Sequence, residues 1–299
     1  MSEFRNKIAQ FADIDENVSF ARLTTMKVGG KARYVVYPYD EFALEGIIEV
    51  CRENNVEYKM FGNGSNILCS DDCFDGVVIK LGRYFNKVFF NGTEVTVQAG
   101  YSIISLAYDA MKKSLSGLEF ASGIPGTVGG CVFMNAGAYK SNMSDIVTEV
   151  QVLHDGIIEW LDNARCEFGY RTPVFQKNED WIVLAVKMQL KEGIREEINE
   201  LMQDRQKRRF ATQPLDYPSA GSVFRNPENG FSWQYIDKIG YRGKHYGDAA
   251  VSEKHSNFIV NTGKAKASEI NQLIEDIQQL VREEYEVELI LEVEKFNWK

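Results

Sequence analysis

Five glycines stand among small apolar residues in one stretch of the chain, residues 122–139, and its composition points directly to ligand chemistry. The glycines occupy positions 123, 126, 129, 130 and 137. Glycine permits positive φ and lets another group approach the backbone closely, which leaves amides available as donors. We therefore expect this loop to hold a pyrophosphate. A pair of glycine-rich turns without a ligand is the alternative interpretation.

The two familiar phosphate-binding patterns do not fit this chain. Gly-x-x-x-x-Gly-Lys-Ser/Thr is absent, because each Gly-Lys pair is followed by Ala or His. The dinucleotide fingerprint fails at Gly62-Asn63-Gly64, since Ile67 stands where a third glycine is needed. A nucleotide that binds this chain must therefore bind by another route.

Length and charge limit the classes of protein to which the chain can belong. It has 299 residues, a size that predicts two or three domains, and a net charge of −9, which argues against nucleic acid as a partner. No apolar run approaches a membrane span, and residues 1–11 lack a signal-peptide core, so a cytoplasmic protein is expected. The five cysteines include no Cys-x-x-Cys pair, which predicts reduced thiols; a metal site at Cys69 and Cys73 is not expected.

The amino-terminal part of the chain has the pattern of a β-α-β unit. We predict a strand over 31–38, a helix capped by Asp40, and further strands over 58–61 and 76–81. The loop 62–66 then leaves the carboxyl end of a strand, where open α/β sheets hold ligands. Next come a hairpin turning at Asn91-Gly92 and a helix that begins after Ser102 and runs to residue 115, stopped by Gly117.

Beyond the glycine-rich loop the pattern continues to alternate. The predicted elements are strands over 148–153, 157–161 and 181–190, helices over 194–209, 231–239 and 267–284, and strands over 258–260 and 287–296. The helix over 194–209 ends in Arg205-Gln206-Lys207-Arg208-Arg209, the strongest positive cluster in an acidic chain. These cations either stabilise the end of the helix dipole or form a local phosphate site, and both interpretations stay open.

Several separated motifs occur together with the two glycine-bearing loops. They are residues 168–172, residues 218–227, residues 251–261 and the sequence Leu291-Glu292-Val293. In order and spacing the set closely resembles the UDP-N-acetylenolpyruvoylglucosamine reductases, also called UDP-N-acetylmuramate dehydrogenases. The resemblance extends from about residue 24 to residue 296, nearly the whole chain.

The resemblance implies an α/β (α+β) fold of three domains. Residues 1–82 and 83–195 would form a two-part FAD-binding module of the vanillyl-alcohol oxidase and p-cresol methylhydroxylase type, and residues 196–299 an α/β substrate domain. It further implies a cytoplasmic monomer that uses NADPH to reduce the enolpyruvyl ether of UDP-N-acetylglucosamine enolpyruvate to UDP-N-acetylmuramate for peptidoglycan. The short passage 175–181 resembles the subtype without a substrate-covering insertion.

The same resemblance places FAD on the two loops. FAD should be noncovalent, because none of the three histidines lies in these loops. The implied FAD contacts are Gly62, Asn63, Gly64, Ser65, Asn66, Gly123, Ile124, Pro125, Gly126, Thr127, Gly129, Gly130, Ala136, Gly137 and Arg209. Of these, Ala136 and Gly137 are expected near the isoalloxazine.

Three residues are expected to act on the substrate. An enol ether that carries a carboxylate accepts hydride poorly, so positive charge and a proton source are required. By resemblance, Arg171 stabilises the developing enolate with Glu292, and Ser222 delivers the proton to C2 after hydride reaches C3. Without the family, Ser222 is a turn serine, Arg171 a surface arginine and Glu292 the solvent side of a strand.

Substrate contacts are expected at Tyr170, Asn226, Arg242 and His255, and NADPH should use the same pocket in turn. The chain departs from the family at Pro173, Lys140 and Arg225, where serine, glycine and lysine are common. Two other functions stay open: a flavin-dependent oxidase of a small alcohol or sugar, and a sugar-nucleotide-binding protein without redox activity.

Overall fold

The structure is a computed structural model that describes residues 2–169, 174–178 and 180–298. Its contacts divide the chain into two compact units. Unit 1 contains Met1–Asp15, Tyr34–Asn63 and Gly76–Lys207, and unit 2 contains Glu16–Arg33, Gly64–Asp75 and Arg208–Lys299. The division of the chain into three domains, at residues 82 and 195, stays a prediction.

Helices and strands alternate along most of the described chain. The helices are α1 (Ser2–Ile8), α2 (Phe20–Leu23), α3 (Glu41–Glu53), α4 (Ile103–Lys112), α5 (Val128–Phe133), α6 (Val174–Lys177), α7 (Arg195–Thr212), α8 (Ser232–Lys238) and α9 (Ala267–Tyr285). The strands are β1 (Ala12–Ser19), β2 (Lys31–Pro38), β3 (Tyr58–Phe61), β4 (Ile67–Cys69), β5 (Phe74–Lys80), β6 (Val88–Asn91), β7 (Glu94–Gln98), β8 (Leu115–Ser116), β9 (Gly137–Ala138), β10 (Ser141–Asn142), β11 (Val147–His154), β12 (Ile157–Asp162), β13 (Ile182–Gln189), β14 (Lys191–Glu192), β15 (His245–Tyr246), β16 (Ala249–Val251), β17 (Ile259–Asn261) and β18 (Glu294–Phe296).

Two sheets shape unit 1. The first has the strand order β1-β2-β5-β3, with β3 and β5 parallel, so that β5 lies between the two strands of the predicted β-α-β unit. The second is antiparallel, with the order β12-β11-β13-β7-β6. Side chains of both sheets, including Ile79, Val97 and Val186, enter one apolar core with those of α3 and α4.

Local chemistry explains where the unit 1 helices begin. The Asp40 carboxylate accepts a hydrogen bond from the Ala43 amide at 2.8 Å, and the Ser102 hydroxyl accepts one from the Ser105 amide at 3.3 Å. Each side chain satisfies an amide that a first helical turn leaves unpaired, as both predicted caps require. The predicted end of the second helix is wrong, because α4 stops at Lys112 and Leu115 already belongs to β8.

Unit 2 is built around the long helix α9. The buried face of α9 carries Ile270, Leu273, Ile274, Ile277 and Val281, which pack in a second apolar core with β16 and β17 side chains. Its amino terminus is capped by Asp71, whose two carboxylate oxygens each accept a backbone amide of α9 at 2.9 Å. The short strand β18 pairs in parallel with β4, which binds the end of the chain into this unit.

The two ends of the chain were the least well predicted. The elements α1 and β1 were not expected, and the strand predicted over 287–296 is present only as β18, with an isolated bridge between Phe224 and Leu291. The helix predicted over 194–209 continues to Thr212. No helix within the described ranges has the length and apolar character needed to cross a membrane.

Candidate active site

The first residues of the loop 62–66 lie against the glycine-rich loop within unit 1, and this contact between the two loops was predicted. Gly62 and Asn63 follow β3, and the Asn63 side-chain amide donates to the Pro125 carbonyl at 3.3 Å. A Cβ atom on Gly62 would lie 2.7 Å from the Thr127 hydroxyl oxygen. Because no real Cβ approaches an oxygen so closely, only glycine allows this contact between the loops.

Close approach, rather than unusual dihedral angles, explains the glycines of residues 122–139. A Cβ on Gly129 would lie 2.8 Å from that of Ala99, and one on Gly137 would lie 2.6 Å from the Ser141 carbonyl oxygen. None of the five loop glycines has a positive φ, so that expectation is wrong. Positive φ occurs instead at Asn135, Tyr139 and Lys140, and the φ of 64° at Lys140 accounts for the glycine common there in the family.

Part of the amide supply predicted for this loop is already used within the protein. The amides of Gly126 and Gly129 donate to the carbonyls of Ile124 and Ala99, both at 2.8 Å, and the Gly130 amide donates to the Thr127 hydroxyl at 3.2 Å. The expectation that these amides are free is therefore wrong. Among the described residues, the amides of Asn63, Gly64, Ser65, Gly123 and Thr127 have no protein acceptor.

The remaining predicted cofactor residues lie in ordered backbone. The Ala136 amide donates to the Cys131 carbonyl at 2.7 Å, and Gly137 begins β9, which pairs with β10. In unit 2 the Asn66 side-chain amide donates to the Glu292 carbonyl at 2.9 Å, and the Arg209 Nε atom donates to the Gln213 side chain at 3.0 Å. Arg209 lies in the last turn of α7, so neither interpretation of its basic cluster is excluded.

Unit 2 brings the Ser222 and Glu292 segments together. The Glu292 amide donates to the Val223 carbonyl at 2.8 Å, and the Arg225 amide donates to the Ile290 carbonyl, also at 2.8 Å. Gly221 precedes Ser222 with a φ of 79°, a conformation that favours glycine. Two residues that the resemblance assigned to one reaction therefore stand on hydrogen-bonded backbone segments.

Asn257 lies in the 251–261 motif but was not predicted as a site residue, and it holds the Ser222 segment from the other side. Its side chain accepts from the Phe224 amide at 3.0 Å and donates to the Phe224 carbonyl at 2.8 Å, while its own carbonyl accepts from Val223 at 2.9 Å. Only 4% of Asn257 is exposed. A buried asparagine needs such partners, but nothing local in the sequence identifies them.

A second polar group in unit 2 contains the predicted substrate residues Arg242 and His255. The Arg242 guanidinium binds both carboxylate oxygens of Asp237, at 3.0 and 2.7 Å, and donates to the Glu253 carbonyl at 2.6 Å. Burial, and secondly the charge of Arg242, lower the pKa of His255 below its usual range. The His255 Nδ1 atom accepts from the Asn257 amide at 3.3 Å, so the neutral ring carries its proton on Nε2.

For the other predicted substrate residues the structure shows local contacts or nothing. The Asn226 side chain accepts from the Ser232 amide at 3.2 Å at the start of α8. In the neighbouring Arg225, the buried Nε atom has no hydrogen-bond partner within the described ranges. Tyr170, Arg171 and Pro173 lie outside the described residues.

Unit 1 has unpaired amides beside a parallel strand pair, and unit 2 joins the backbone segments that carry Ser222 and Glu292. Two family models agree with this division: one described as FAD binding domain matches residues 32–162, and one described as UDP-N-acetylenolpyruvoylglucosamine reductase, C-terminal domain, matches residues 213–296. The chain is thus an FAD-dependent oxidoreductase with the expected α/β fold.

Whole-chain comparisons identify the family. The UDP-N-acetylenolpyruvoylglucosamine reductase of Anoxybacillus flavithermus is 45% identical over 98% of both chains, and that of Bacillus subtilis is 44% identical over 93% of this chain and 92% of its own. The crystal structure of the reductase of that name from Thermus caldophilus matches with a TM-score of 0.82 and 35% identity, covering 96% of this chain and 100% of that chain. The chain belongs to the UDP-N-acetylenolpyruvoylglucosamine reductase family.

The residues present fit FAD. A dinucleotide diphosphate needs several donors at close range, and the unpaired amides of Asn63, Gly123 and Thr127 supply them within unit 1. Because Gly62 has no Cβ, the two loops can approach each other at this point. The assignment of individual side chains to FAD stays a prediction.

Proposed function

We propose that the chain reduces UDP-N-acetylglucosamine enolpyruvate to UDP-N-acetylmuramate, with NADPH as electron donor and noncovalent FAD as carrier. The observation that carries this proposal is the hydrogen bond from the Glu292 amide to the Val223 carbonyl, 2.8 Å long, which holds the Ser222 and Glu292 segments together. The relative from Anoxybacillus flavithermus bears the name of this reaction and aligns over 98% of the chain. The proposed setting is peptidoglycan precursor synthesis in the cytoplasm, by a monomer without a nucleic-acid partner.

The substrate determines what the protein must supply. Addition of hydride to the enolpyruvyl group stores an electron pair as an enolate beside an existing carboxylate, so the barrier is lowered by fixed positive charge. FAD held by the amides of Asn63, Gly123 and Thr127 would supply the hydride chemistry, with NADPH as the electron source and C3 as the acceptor. Arg171 would hold the carboxylate, since its planar fork matches two oxygens, and Tyr170 would line the same pocket.

Ser222 would donate the proton to C2. A serine hydroxyl is a weak acid, and it can protonate only a strongly basic group at a fixed position. The backbone next to it is held on both sides, because Val223 donates to Asn257 at 2.9 Å and accepts from Glu292 at 2.8 Å. Gly221, with its φ of 79°, would give the turn that presents the hydroxyl. Glu292 would assist as a hydrogen-bond partner of the developing enolate.

Arg242 and His255 would donate hydrogen bonds to polar groups of the substrate. Neutral His255 can donate from Nε2 to an oxygen of the enolpyruvyl group. Arg242 keeps one N–H on each terminal nitrogen after its contacts with Asp237 and Glu253, and these would face the diphosphate. Asn226 would contact the UDP portion. NADPH and the sugar nucleotide would occupy the pocket in turn.

One anaerobic experiment separates this function from the two alternatives. The purified protein should show a flavin spectrum that NADPH bleaches and that recovers only when the enolpyruvyl sugar nucleotide is added. Recovery on adding air, with no response to the sugar nucleotide, would instead indicate an oxidase. A colourless protein that binds UDP-sugars would indicate a binding protein without redox activity.

A further inference from the structure

Lys80 lies directly beside the first residue of the cofactor loop. It is the last residue of β5, and in the parallel pairing with β3 it stands opposite Phe61. Gly62 therefore leaves the sheet next to Lys80. The Lys80 ammonium donates a hydrogen bond to the Gly62 carbonyl, so a charged side chain holds the point at which the loop begins.

The hydrogen-bond partner of the Lys80 ammonium is a neutral group, the Gly62 carbonyl. Among the described residues, no carboxylate lies within ion-pair distance of the Lys80 ammonium. Lys80 as a whole is partly buried, and burial alone lowers the pKa of its ammonium to about 8. An ammonium removed from water is stabilised far less by one neutral carbonyl than by an anion. The described residues therefore leave the positive charge of Lys80 unbalanced.

The groups around Gly62 indicate what completes it. The Thr127 hydroxyl oxygen lies 2.7 Å from the position that a Cβ on Gly62 would take, and the Asn63 side chain donates to the Pro125 carbonyl of the second loop. The amides of Asn63, Gly123 and Thr127 have no acceptor among the described residues. These amides and the Lys80 ammonium together favour an anionic ligand with several oxygen acceptors.

We propose that Lys80 is a positioning residue for the FAD diphosphate, which it serves in two ways: it holds the Gly62 carbonyl, and it balances the charge of the phosphates. The inference rests on the proposed function, because it takes FAD as the ligand of this loop. It assigns to the end of β5 a role in cofactor retention that is independent of the residues acting on the substrate.

The test compares Lys80→Met with Lys80→Arg and with a matched surface control, Lys112→Met. Lys112 forms an ion pair with Asp109 at 2.9 Å and is 60% exposed, so that variant removes the same charge elsewhere in unit 1. Each holoenzyme is diluted, and the fluorescence of released FAD gives the Kd at several salt concentrations. For Lys80→Met we expect the Kd to rise about thirtyfold or more, with a weaker dependence on salt. Lys80→Arg and Lys112→Met should keep the salt dependence of the parent protein.

Thermal unfolding with and without added FAD separates charge balance from simple packing. Removing an unpaired buried charge should leave the Tm of the FAD-free Lys80→Met protein unchanged or higher, while the Tm increase caused by FAD becomes smaller. A lower Tm without FAD, or an unchanged Kd and salt dependence, would overturn the inference. A parent protein that binds no FAD would contradict the proposed function itself, which is a different outcome from failure of Lys80 alone.

Discussion

Two glycine-bearing segments use the same residue type for opposite reasons. In residues 122–139 of unit 1, Gly129 has an ordinary φ but no room, since a Cβ there would lie 2.8 Å from that of Ala99. In the Ser222 segment of unit 2, Gly221 has ample room, because none of the described residues lies within 4 Å of a Cβ placed there, but its φ is 79°. The first segment needs glycine for packing and the second needs it for backbone conformation.

This difference separates the two tasks of the enzyme. Tight packing in unit 1 keeps two loops at contact distance, which suits a cofactor that stays bound. A turn with a positive-φ glycine, held by hydrogen bonds in unit 2, suits a group that must be aimed at a reacting atom. Changes in unit 1 should therefore affect FAD retention, and changes in unit 2 should affect the substrate step.

Among residues that support the site rather than act in it, the largest effect is expected for Asn257→Ala, which removes both side-chain hydrogen bonds to Phe224. Leaving these buried groups unpaired should lower the free energy of unfolding by about 2 to 4 kcal/mol and slow flavin reoxidation by the sugar nucleotide about a hundredfold. Urea unfolding and stopped-flow absorbance measure the two. The control is Asn54→Ala, in which an exposed asparagine loses a side-chain hydrogen bond to the Val50 carbonyl in α3. If Asn257→Ala lost FAD and kept its rate of reoxidation by the sugar nucleotide, the assignment of the substrate step to unit 2 would be wrong.

Gly129→Ala comes next and tests packing in unit 1. The added methyl group must displace Ala99, and such overpacking costs about 1 to 3 kcal/mol. We expect the FAD Kd to rise by about tenfold or more. Gly82→Ala is the matched control, because its Cβ would meet only the Gly100 carbonyl at an ordinary 3.6 Å. Equal FAD retention in both variants would show that close approach at Gly129 is not needed.

Gly221→Ala should have a smaller effect, through conformation alone. Alanine at a φ of 79° costs about 1 kcal/mol, and relief of that strain would move Ser222. We expect the substrate step to slow severalfold at constant FAD content. Gly92→Ala has a similar φ of 59° and equally open space, but lies in the β6–β7 turn. It should cost similar stability and leave turnover unchanged; a loss of turnover in both variants would remove the special role of Gly221.

The smallest effect is expected in the pH dependence contributed by His255. Its folded-state pKa is lowered, so the unfolded chain binds more protons between that value and the usual pKa near 6.5. Stability should therefore rise with pH through this window and stop depending on His255 below it. Burial is the main cause of the lowered pKa, the charge of Arg242 adds to it, and Asp237 opposes it. His255→Gln should flatten the slope in urea titrations from pH 5 to 7. An unchanged slope would mean that His255 is not buried in its neutral form.

Local patterns predicted the inner elements of the fold because their signals lie within a few residues. The Asp40 and Ser102 caps and the strand pair around Gly92 are of this kind. The prediction for the end of the chain was wrong because β18 forms only when β4, more than 220 residues earlier, pairs with it. Alternating apolar residues over 287–293 had no partner strand of that length.

In the candidate site, too, local motifs were predicted and long-range contacts were not. Its residues were identified as separated motifs, and backbone hydrogen bonds join two of them, the Ser222 and Glu292 segments. Asn257 and Lys80 were missed because each acts on the backbone of a distant segment, and an asparagine or lysine in a strand-rich sequence carries no sign of such a partner. The free amides could not be counted without knowing which ones the protein itself uses.

The central claim is that unit 2 supplies the proton for the second half-reaction while unit 1 retains the flavin. Stopped-flow absorbance of Ser222→Ala under anaerobic conditions tests it most directly, with each half-reaction measured alone. We predict that flavin reduction by NADPH stays within about twofold of the parent rate, while reoxidation by the enolpyruvyl sugar nucleotide slows by about 10² to 10⁴. Equal slowing of both half-reactions would contradict the account, because Ser222 would then be structural.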